Sequence, residues 1–566
     1  MPRHLSPLLR TRIAHVFLFI MFCCALLWLR LGYLQLVRHG FLAAEAMRQR
    51  SRAEALVPDR GAILDRNGLP LAITVYGYGV YAVPAAIRDP QAVAAQLADL
   101  LGRPAAELEE LLQRNASQVW LTDRLDPAAA AAVEELGLRG VYVVERPQRA
   151  YPQGRLAADV LGYTGRDNQG LAGLEWLYDE VLAGVPGVHR SERDPRGRSI
   201  AGGRSEVREP VPGSDLVLTI DAVLQYIVEQ ELARGIEAAR AAWGLAVAMQ
   251  PKTGEILAMA VLPSFDPADY QRYLPRAHRN PAVADQFEPG STMKVFTLAA
   301  ALEEGVVTLD TVLDSPAQMR IGGGLIHCNY PYGYGRLTVL EAVARSCNTT
   351  LAHIGAELLG GEKLYQYLRA FGFGQRLGVD LPGEGTGMVP APGRISGELL
   401  QWATISFGQG IAVTPLQLTA ATAALANGGV LMKPYIVREV RHPDGYVVET
   451  ASPTPLRQVV SPETARDVVE AMIAVVERGT GRRAQVPGYR VAGKTGTAQI
   501  PEDGGYGDKR LASFVGFGPV EDPALVLLVM LYDVRQEMPE GGLWAAPVFA
   551  NIMRRAFQHL GIPPSP

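Results

Sequence analysis

At 566 residues the chain is too long for one hydrophobic core, and two or three domains are expected. With 48% hydrophobic and 20% charged residues it is ordinary globular material, and a formal net charge of -4 gives no electrostatic reason to expect nucleic acid as a partner. Only six basic residues are lysines, so a motif that demands lysine is seldom met by accident.

At the N-terminus Arg3, Arg10 and Arg12 precede an apolar run from Ile13 to Leu29, broken only by His15. About seventeen helical residues span roughly 25 Å, close to a bilayer core. Arg30 can snorkel at the far interface. The positive flank predicts a cytoplasmic tail over 1–12, a transmembrane anchor over 13–35, and an extracytoplasmic remainder. A cleaved signal peptide is the alternative, but no small-x-small site follows the run directly, and Leu31 to Arg50 reads as an amphipathic helix continuing outward. Cys23 and Cys24 serve as small apolar residues in the anchor. Cys328 and Cys347 fall in the exported part, where a disulfide is permitted.

Residues 36–211 read as a spacer. Asp65 to Gly68 has turn chemistry, and Leu71 to Val83, rich in Val, Tyr and Ile, reads as strand. Asp89 to Leu138 reads as Ala/Leu/Glu-rich helices, with Pro104 and Pro127 near helix starts. Short strands, glycines and prolines fill Val141 to Pro210. A boundary at Pro212-Gly213-Ser214 opens a second domain, 212–566. There a strand (Leu216 to Ile220) and a long helix (Ala222 to Ala242) precede a hairpin, Gly244 to Met249 with Glu255 to Val261, turning at Pro251-Lys252-Thr253-Gly254. Helices follow, then strands over Phe514 to Gly518 and Ala524 to Tyr532 and a helix from Ala545 to Leu560. Strands first and last, with helices between, predict an antiparallel sheet whose edges come from both ends of the domain. No internal repeat is present.

Three short elements carry chemistry. Ser291-Thr292-Met293-Lys294 opens an apolar helix running to Gly305, and residues three apart share a helix face. A serine hydroxyl is a poor nucleophile until a neighbour takes its proton, and lysine does so only where burial or nearby cations favour its neutral form. An all-round apolar helix predicts that burial, and its N-terminus favours a developing oxyanion. Ser346-Cys347-Asn348 supplies a relay hydroxyl and an amide able to hold Lys294 and a substrate carbonyl; taken alone it reads as a polar loop with a helix N-cap instead. Lys494-Thr495-Gly496-Thr497, in the extended stretch Arg490 to Ile500, offers an edge for substrate backbone. Lys494 and Thr495 would bind a carboxylate, and the Thr497 and Ser291 N–H groups would form an oxyanion hole. Lys252-Thr253-Gly254 repeats the tripeptide but precedes Ser291 in a Pro-led turn, and reads as structural. The nine histidines lack ligand spacing, so neither metal nor nucleotide cofactor is expected.

In the order Ser-x-x-Lys, Ser-x-Asn, Lys-Thr-Gly, these motifs resemble those of the penicillin-binding transpeptidases and serine β-lactamases, and specifically the class B penicillin-binding proteins. Arg60 to Gly68, Arg149-Ala150-Tyr151-Pro152 and Gly173-Leu174-Glu175 are similar to the family's pedestal motifs. Phe287 to Lys294, Gly408-Gln409-Gly410, Val413-Thr414-Pro415 and Ala512 to Phe517 are similar to its transpeptidase domain. Asp159, Pro281 and Gln250 depart from the residues frequent at those places.

The resemblance implies an α/β fold of the α+β type: a transmembrane helix, an elongated mixed pedestal, and a C-terminal domain whose central antiparallel sheet is flanked by helices. It implies a D,D-transpeptidase that cross-links D-Ala-D-Ala stem peptides through an acyl-Ser291 and is trapped by β-lactams. Catalytic roles fall on Ser291, Lys294, Ser346 and Asn348, and substrate binding on Lys494, Thr495, Gly496 and Thr497. Cys347 lies inside the Ser-x-Asn element and Cys328 nineteen positions earlier in a Gly-rich loop, so a disulfide between them would pin Ser346 and Asn348 as a redox-sensitive pair, with two buried free thiols as the alternative; similar cysteine placement in division and sporulation members points to that branch. Implied partners are a lipid-linked glycan polymerase of the SEDS type, divisome proteins and the membrane. An elongation-type transpeptidase, a D,D-carboxypeptidase, a β-lactamase and a non-catalytic scaffold are the alternatives; no separate Glu-x-x-x-Asn deacylation element supports a β-lactamase.

Overall fold

The computed structural model describes residues 7–192, 200, 205–273, 278–393, 397–502 and 505–564. The chain clusters into two compact units, Met1–Pro58 with Val185–Val211, and Asp59–Gly184 with Pro212–Pro566.

In the first unit, α1 (Pro7–Gly32) runs through a π turn (Tyr33–Val37) towards α2 (His39–Arg50). None of the side chains of α1 is buried, although Val16, Phe17, Leu18, Phe19 and Ile20 follow one another. A helix apolar on every side satisfies its backbone internally and needs a non-aqueous surrounding. Pro7–Val37 is long and apolar enough to cross a membrane. A three-stranded antiparallel sheet completes the unit, with Gly187–Glu192 between Ser51–Leu56 and Ser205–Arg208.

The second unit is organised on a five-stranded sheet: β1 (Trp243–Met249), β2 (Ile256–Leu262), β3 (Ala492–Glu502), β4 (Gly505–Gly518) and β5 (Leu525–Tyr532). Its order is β2-β1-β5-β4-β3, antiparallel throughout, so the early hairpin supplies one edge and β3 the other, as expected. The run Leu-Val-Leu-Leu-Val-Met-Leu in β5 has no polar alternation because both faces are covered. Leu525, Leu527, Val529 and Leu531 pack with α3 (Ala222–Ala239) and the C-terminal helix. Val526, Leu528 and Met530 face the other layer, which includes α4 (Lys294–Glu303).

A second sheet in the same unit runs, in spatial order, through Val447–Thr450, Val437–Arg441, Asp215–Leu218, Ile63–Leu64, Pro70–Ala82 and Val119–Leu125, with Val141–Ala150 also pairing to Pro70–Ala82. The parallel pairing of Ile63–Leu64 with Leu216 and Val217 explains why Asp59–Gly184 clusters with 212–566. Helices occupy Pro90–Leu101, Ala105–Leu112 and Pro127–Glu135, but the helical reading of Asp89 to Leu138 missed the strand Val119–Leu125 between them. Val119 and Trp120 pair with Ala82 and Tyr81, and Leu121 is buried among Leu97, Leu108 and Leu112. Aromatic and β-branched residues on a pleated surface outweigh the alanine-rich flanks.

The three segments similar to pedestal motifs meet in one buried ion network. Glu175 accepts from Arg60 Nε and Arg149 Nε, each at 2.6 Å, with all three side chains shielded from water. Arg60 also reaches Asp179 at 2.6 Å, and Arg149 donates to the Gly61 carbonyl at 2.8 Å. The departing residues have local structural uses. Gln250 Oε1 accepts from the Thr253 N–H in the β1–β2 turn, Pro281 begins a short helix capped by Asn280, and half-buried Asp159 accepts from Ser264 Oγ at 2.8 Å. Burial pushes the Asp159 carboxyl up to about 7.

Candidate active site

Ser291 sits in a 3-10 turn, Gly290–Met293, that feeds α4. Gly290 has φ +54, and a Cβ there would come within 2.9 Å of the Thr497 carbonyl oxygen. Its N–H donates to the Gly408 carbonyl at 3.0 Å, and a Cβ on Gly408 (φ +90) would collide with Gly290 O at 2.0 Å. Gly410 N–H donates to Glu288 Oε1 at 2.8 Å, and Phe287 and Val413 exchange backbone hydrogen bonds of 3.0 Å. The motif pieces around 287–294, 408–410 and 413–415 thus form a single seat, and its glycines permit approaches that no side chain would.

Lys294, the first residue of α4, is wholly buried. Its Nζ donates to Ser346 O at 2.6 Å, Ser346 Oγ at 3.0 Å and Asn348 Oδ1 at 2.7 Å. Burial brings its pKa down to about 7, while the neighbouring thiols of Cys347 and Cys328 act in the opposite direction. Among the described residues no hydrogen bond joins the Ser291 hydroxyl to Lys294. The shared helix face puts the two in one turn, but the amine is satisfied by the Ser-x-Asn element.

Ser346 has φ 60, a conformation most side chains avoid. It is the left-handed residue closing the helix Val339–Ala344: its N–H donates to Val343 O at 3.0 Å, and that of Cys347 to Ala342 O at 2.8 Å. This is a Schellman ending with serine where glycine is usual. It leaves both the carbonyl and the hydroxyl of Ser346 available to Lys294. Asn348 opens α5 (Asn348–His353), and its Nδ2 donates to His327 O at 3.0 Å.

In β3, Lys494 is paired with Val515 and wholly buried. Its Nζ donates to Ser346 Oγ at 2.9 Å, Thr495 O at 3.1 Å and Thr495 Oγ1 at 3.3 Å. One hydroxyl oxygen therefore accepts from two lysines, with its own proton still to give. Two ammonium groups around a single oxygen cannot both be cheap to charge. The Lys494 amine is held well below the usual lysine range, first by burial and second by the charge of Lys294. Gly496 works differently from the simple strand-edge picture. The space of its missing Cβ is already taken, 2.3 Å from Ser513 Oγ and 2.9 Å from Thr292 Cγ2, so the glycine lets the Ser291 turn and β4 close on β3. Thr497 is exposed, and its Oγ1 accepts from the Gly541 N–H at 3.1 Å.

A groove of about 750 Å³ is lined by Ser291, Ser346, Asn348, Thr495 and Thr497. Two of its features escaped sequence reading. Thr480 lines it, with Oγ1 2.8 Å from Thr495 Oγ1. Gly541 and Gly542 begin the C-terminal helix, α6 (Gly541–His559), four residues before the expected start at Ala545. A Cβ on Gly541 would lie 2.2 Å from Ser513 O and one on Gly542 2.4 Å from Thr480 O, so the glycine pair after Glu540 was the legible signal of close approach. The duplicate tripeptide lies apart from this groove: Lys252 is exposed in the β1–β2 turn and ion-paired with Asp522.

Cys328 Sγ and Cys347 Sγ lie 3.2 Å apart as free thiols. Burial pushes Cys347 up, but hydrogen bonds from Thr349 and Thr350, together with Cys328, outweigh it and leave this thiol below its usual range; Cys328, desolvated beside it, is raised.

Residues 244–554 match the penicillin binding protein transpeptidase domain, and residues 55–218 the penicillin-binding protein dimerisation domain. The chain is 40% identical to Stage V sporulation protein D of Bacillus subtilis over 98% of its length and 86% of the relative's. It is 34% identical to the probable peptidoglycan D,D-transpeptidase PbpC of Pseudomonas aeruginosa, covering 94% and 93%. Its structure is similar to penicillin binding protein 3 of Mycobacterium tuberculosis complexed with aztreonam, at a TM-score of 0.71 and 32% identity, covering 91% of this chain and 98% of that one. With both domains matched, and with Ser291 and Ser346 lining one groove while Ser346 accepts from Lys294 and Lys494 beneath it, the chain belongs to the class B penicillin-binding proteins.

Proposed function

We propose that this protein is a peptidoglycan D,D-transpeptidase that forms a serine acyl-enzyme at Ser291 and serves septal or related wall synthesis. The observation that carries this is the buried Lys294 amine, held by Ser346 and Asn348 in the turn that Ser291 opens. In this reading Ser291 Oγ attacks the penultimate D-Ala carbonyl of a donor stem. Its proton passes to the Lys294–Ser346–Lys494 cluster and onward to the departing D-Ala amine. The Ser291 and Thr497 N–H groups receive the oxyanion, and Lys494 and Thr495 bind the donor carboxylate. An amine from a neighbouring strand then takes the acyl group, while a β-lactam leaves the serine blocked.

Residues 36–211 act as the pedestal and 212–566 as the transpeptidase domain. The anchor over 13–35 keeps the N-terminus inside and the groove outside the membrane, and anchor and pedestal meet a SEDS-type glycan polymerase and divisome proteins. The positive N-terminal flank supports that orientation. The test is covalent labelling by fluorescent penicillin in the wild type and Ser291→Ala, followed by incubation with two stem peptides. A cross-linked dimer is expected; hydrolysed donor alone indicates a carboxypeptidase, and labelling that survives S291A refutes the assignment.

The cysteine geometry favours a redox control of the same site. Thiols 3.2 Å apart need only close to about 2.05 Å. Each gives up one proton and one electron to a disulfide oxidant, which leaves as a dithiol. The bond would pin the 346–348 segment and slow acylation. Alkylation without reductant, after exposure to oxidised dithiothreitol, should label neither thiol, and full labelling of both ends the idea.

A further inference from the structure

Residues 328–334 join the strands Gly324–His327 and Gly335–Thr338 at the rim of the catalytic groove, which His327 and Asn329 help to line. The loop carries three tyrosines at alternate positions, Tyr330, Tyr332 and Tyr334. Its backbone is built rather than loose. Gly333 N–H donates to Tyr330 O at 3.0 Å, and Tyr334 N–H to Ser315 O at 2.8 Å. Gly333 has φ +69, and a Cβ there would sit 2.4 Å from the Ala317 nitrogen, so the turn is pressed on the body of the domain.

On this frame the rings form a ladder. The Arg345 guanidinium covers Tyr334 at 5.3 Å, Tyr330 stacks on Tyr334 with centroids 5.1 Å apart, and Tyr332 meets Tyr330 edge-on at 5.5 Å. Tyr334 packs against the core, but Tyr330 is 44% and Tyr332 84% exposed. The ladder is coupled to the catalytic cluster, because Asn348 Nδ2 donates to His327 O and Asn329 Nδ2 to Arg345 O, each at 3.0 Å.

Rigid, flat rings with a polar edge, Tyr330 and Tyr332 of them largely open to water, suit a ligand that presents C–H faces and hydroxyls together. A saccharide has both. The occupant follows from continuity with the groove: if stem peptides are the substrate, each hangs from a glycan strand, and an extended five-residue stem reaches about 17 Å from its sugar. We infer that the Tyr330–Tyr332–Tyr334 ladder is a saccharide subsite that holds the glycan strand whose stem peptide enters the groove. The inference rests on the transpeptidase reading and adds a second recognition element to it.

The test uses the full chain in detergent and a peptide-free tetrasaccharide of alternating N-acetylglucosamine and N-acetylmuramic acid, followed by saturation-transfer NMR and titration. Tyr330→Ala/Tyr332→Ala should weaken binding at least tenfold, while Tyr332→Phe, which keeps the face, should stay within about threefold. The loss of sugar affinity should far exceed any change in the penicillin acylation rate measured on the same samples. Equal affinity of wild type and double variant, no saturation transfer from the wild type to the sugar, or a parallel collapse of acylation and sugar binding would each overturn the subsite. So would tyrosine-dependent self-association of the chain that is indifferent to the sugar. Sugar binding that depends on the tyrosines in a protein that penicillin does not label would sink the transpeptidase reading instead.

Discussion

Burial of Lys294 makes a prediction about pH. An unperturbed lysine, near 10.4, is neutral at pH 7 in only about one molecule in 2,500. At a pKa of about 7 half of the Lys294 population is neutral at that pH, roughly a thousandfold gain in available base. If the neutral amine takes the Ser291 proton, kcat/KM for acylation by a fluorescent penicillin should rise about tenfold per pH unit below pH 6. It should bend near 7 and level off above 8. The same shift has a stability cost with a definite sign. The unfolded chain binds the lysine proton up to its ordinary pKa and the folded chain only up to about 7, so stability rises with pH between those limits. Below pH 7 the cost is fully present, on the order of 4–5 kcal/mol at about 1.36 kcal/mol per pKa unit. Lys294→Met should therefore abolish labelling yet unfold at a higher temperature at pH 6. A flat acylation profile from pH 5 to 9, or a K294M protein less stable at pH 6 than the wild type, would refute the reasoning.

Gly496→Ala places a Cβ 2.3 Å from Ser513 Oγ. Overpacking of about 1–3 kcal/mol and slower penicillin labelling are expected, read by thermal melting and a labelling time course. Glu175→Ala leaves the buried Arg149 guanidinium without a carboxylate and Arg60 with Asp179 alone, and a loss of about 3–5 kcal/mol should appear in denaturant unfolding. Asp159, raised to about 7 by burial, favours the folded state fully below the ordinary aspartate range, and that contribution disappears as pH rises through 7. Asp159→Asn should accordingly raise Tm more at pH 8 than at pH 5, and equal gains at both would contradict the shift.

Much of this site is legible in the sequence because its chemistry is carried by short, ordered spacings. The i, i+3 relation of Ser291 and Lys294 needs only a helical turn, and a stretch from Val295 to Ala301 without a charge announces the burial that depresses the amine. The antiparallel sheet with edges from both ends of the domain follows likewise from strand-like runs at its two ends. The strand Val119–Leu125 is hidden for the opposite reason. Its seven residues lie among alanine-rich helices, and only pairing with Tyr78–Ala82, some forty positions earlier, makes it a strand.

What the sequence conceals most is how the three motifs divide the work. Spacing suggests that Lys294 attends to Ser291, whereas the folded chain gives the amine three oxygens of the Ser-x-Asn element and makes Ser346 the acceptor for two lysines. That outcome depends on a backbone angle, φ 60 at Ser346, which no motif spells out. A glycine would end the helix Val339–Ala344 with less strain, but it would remove the oxygen that both lysines share. The strained serine is therefore the hydrogen-bonded link between the Lys294 and Lys494 amines, and in the proposed reaction it is the oxygen through which those amines would exchange a proton.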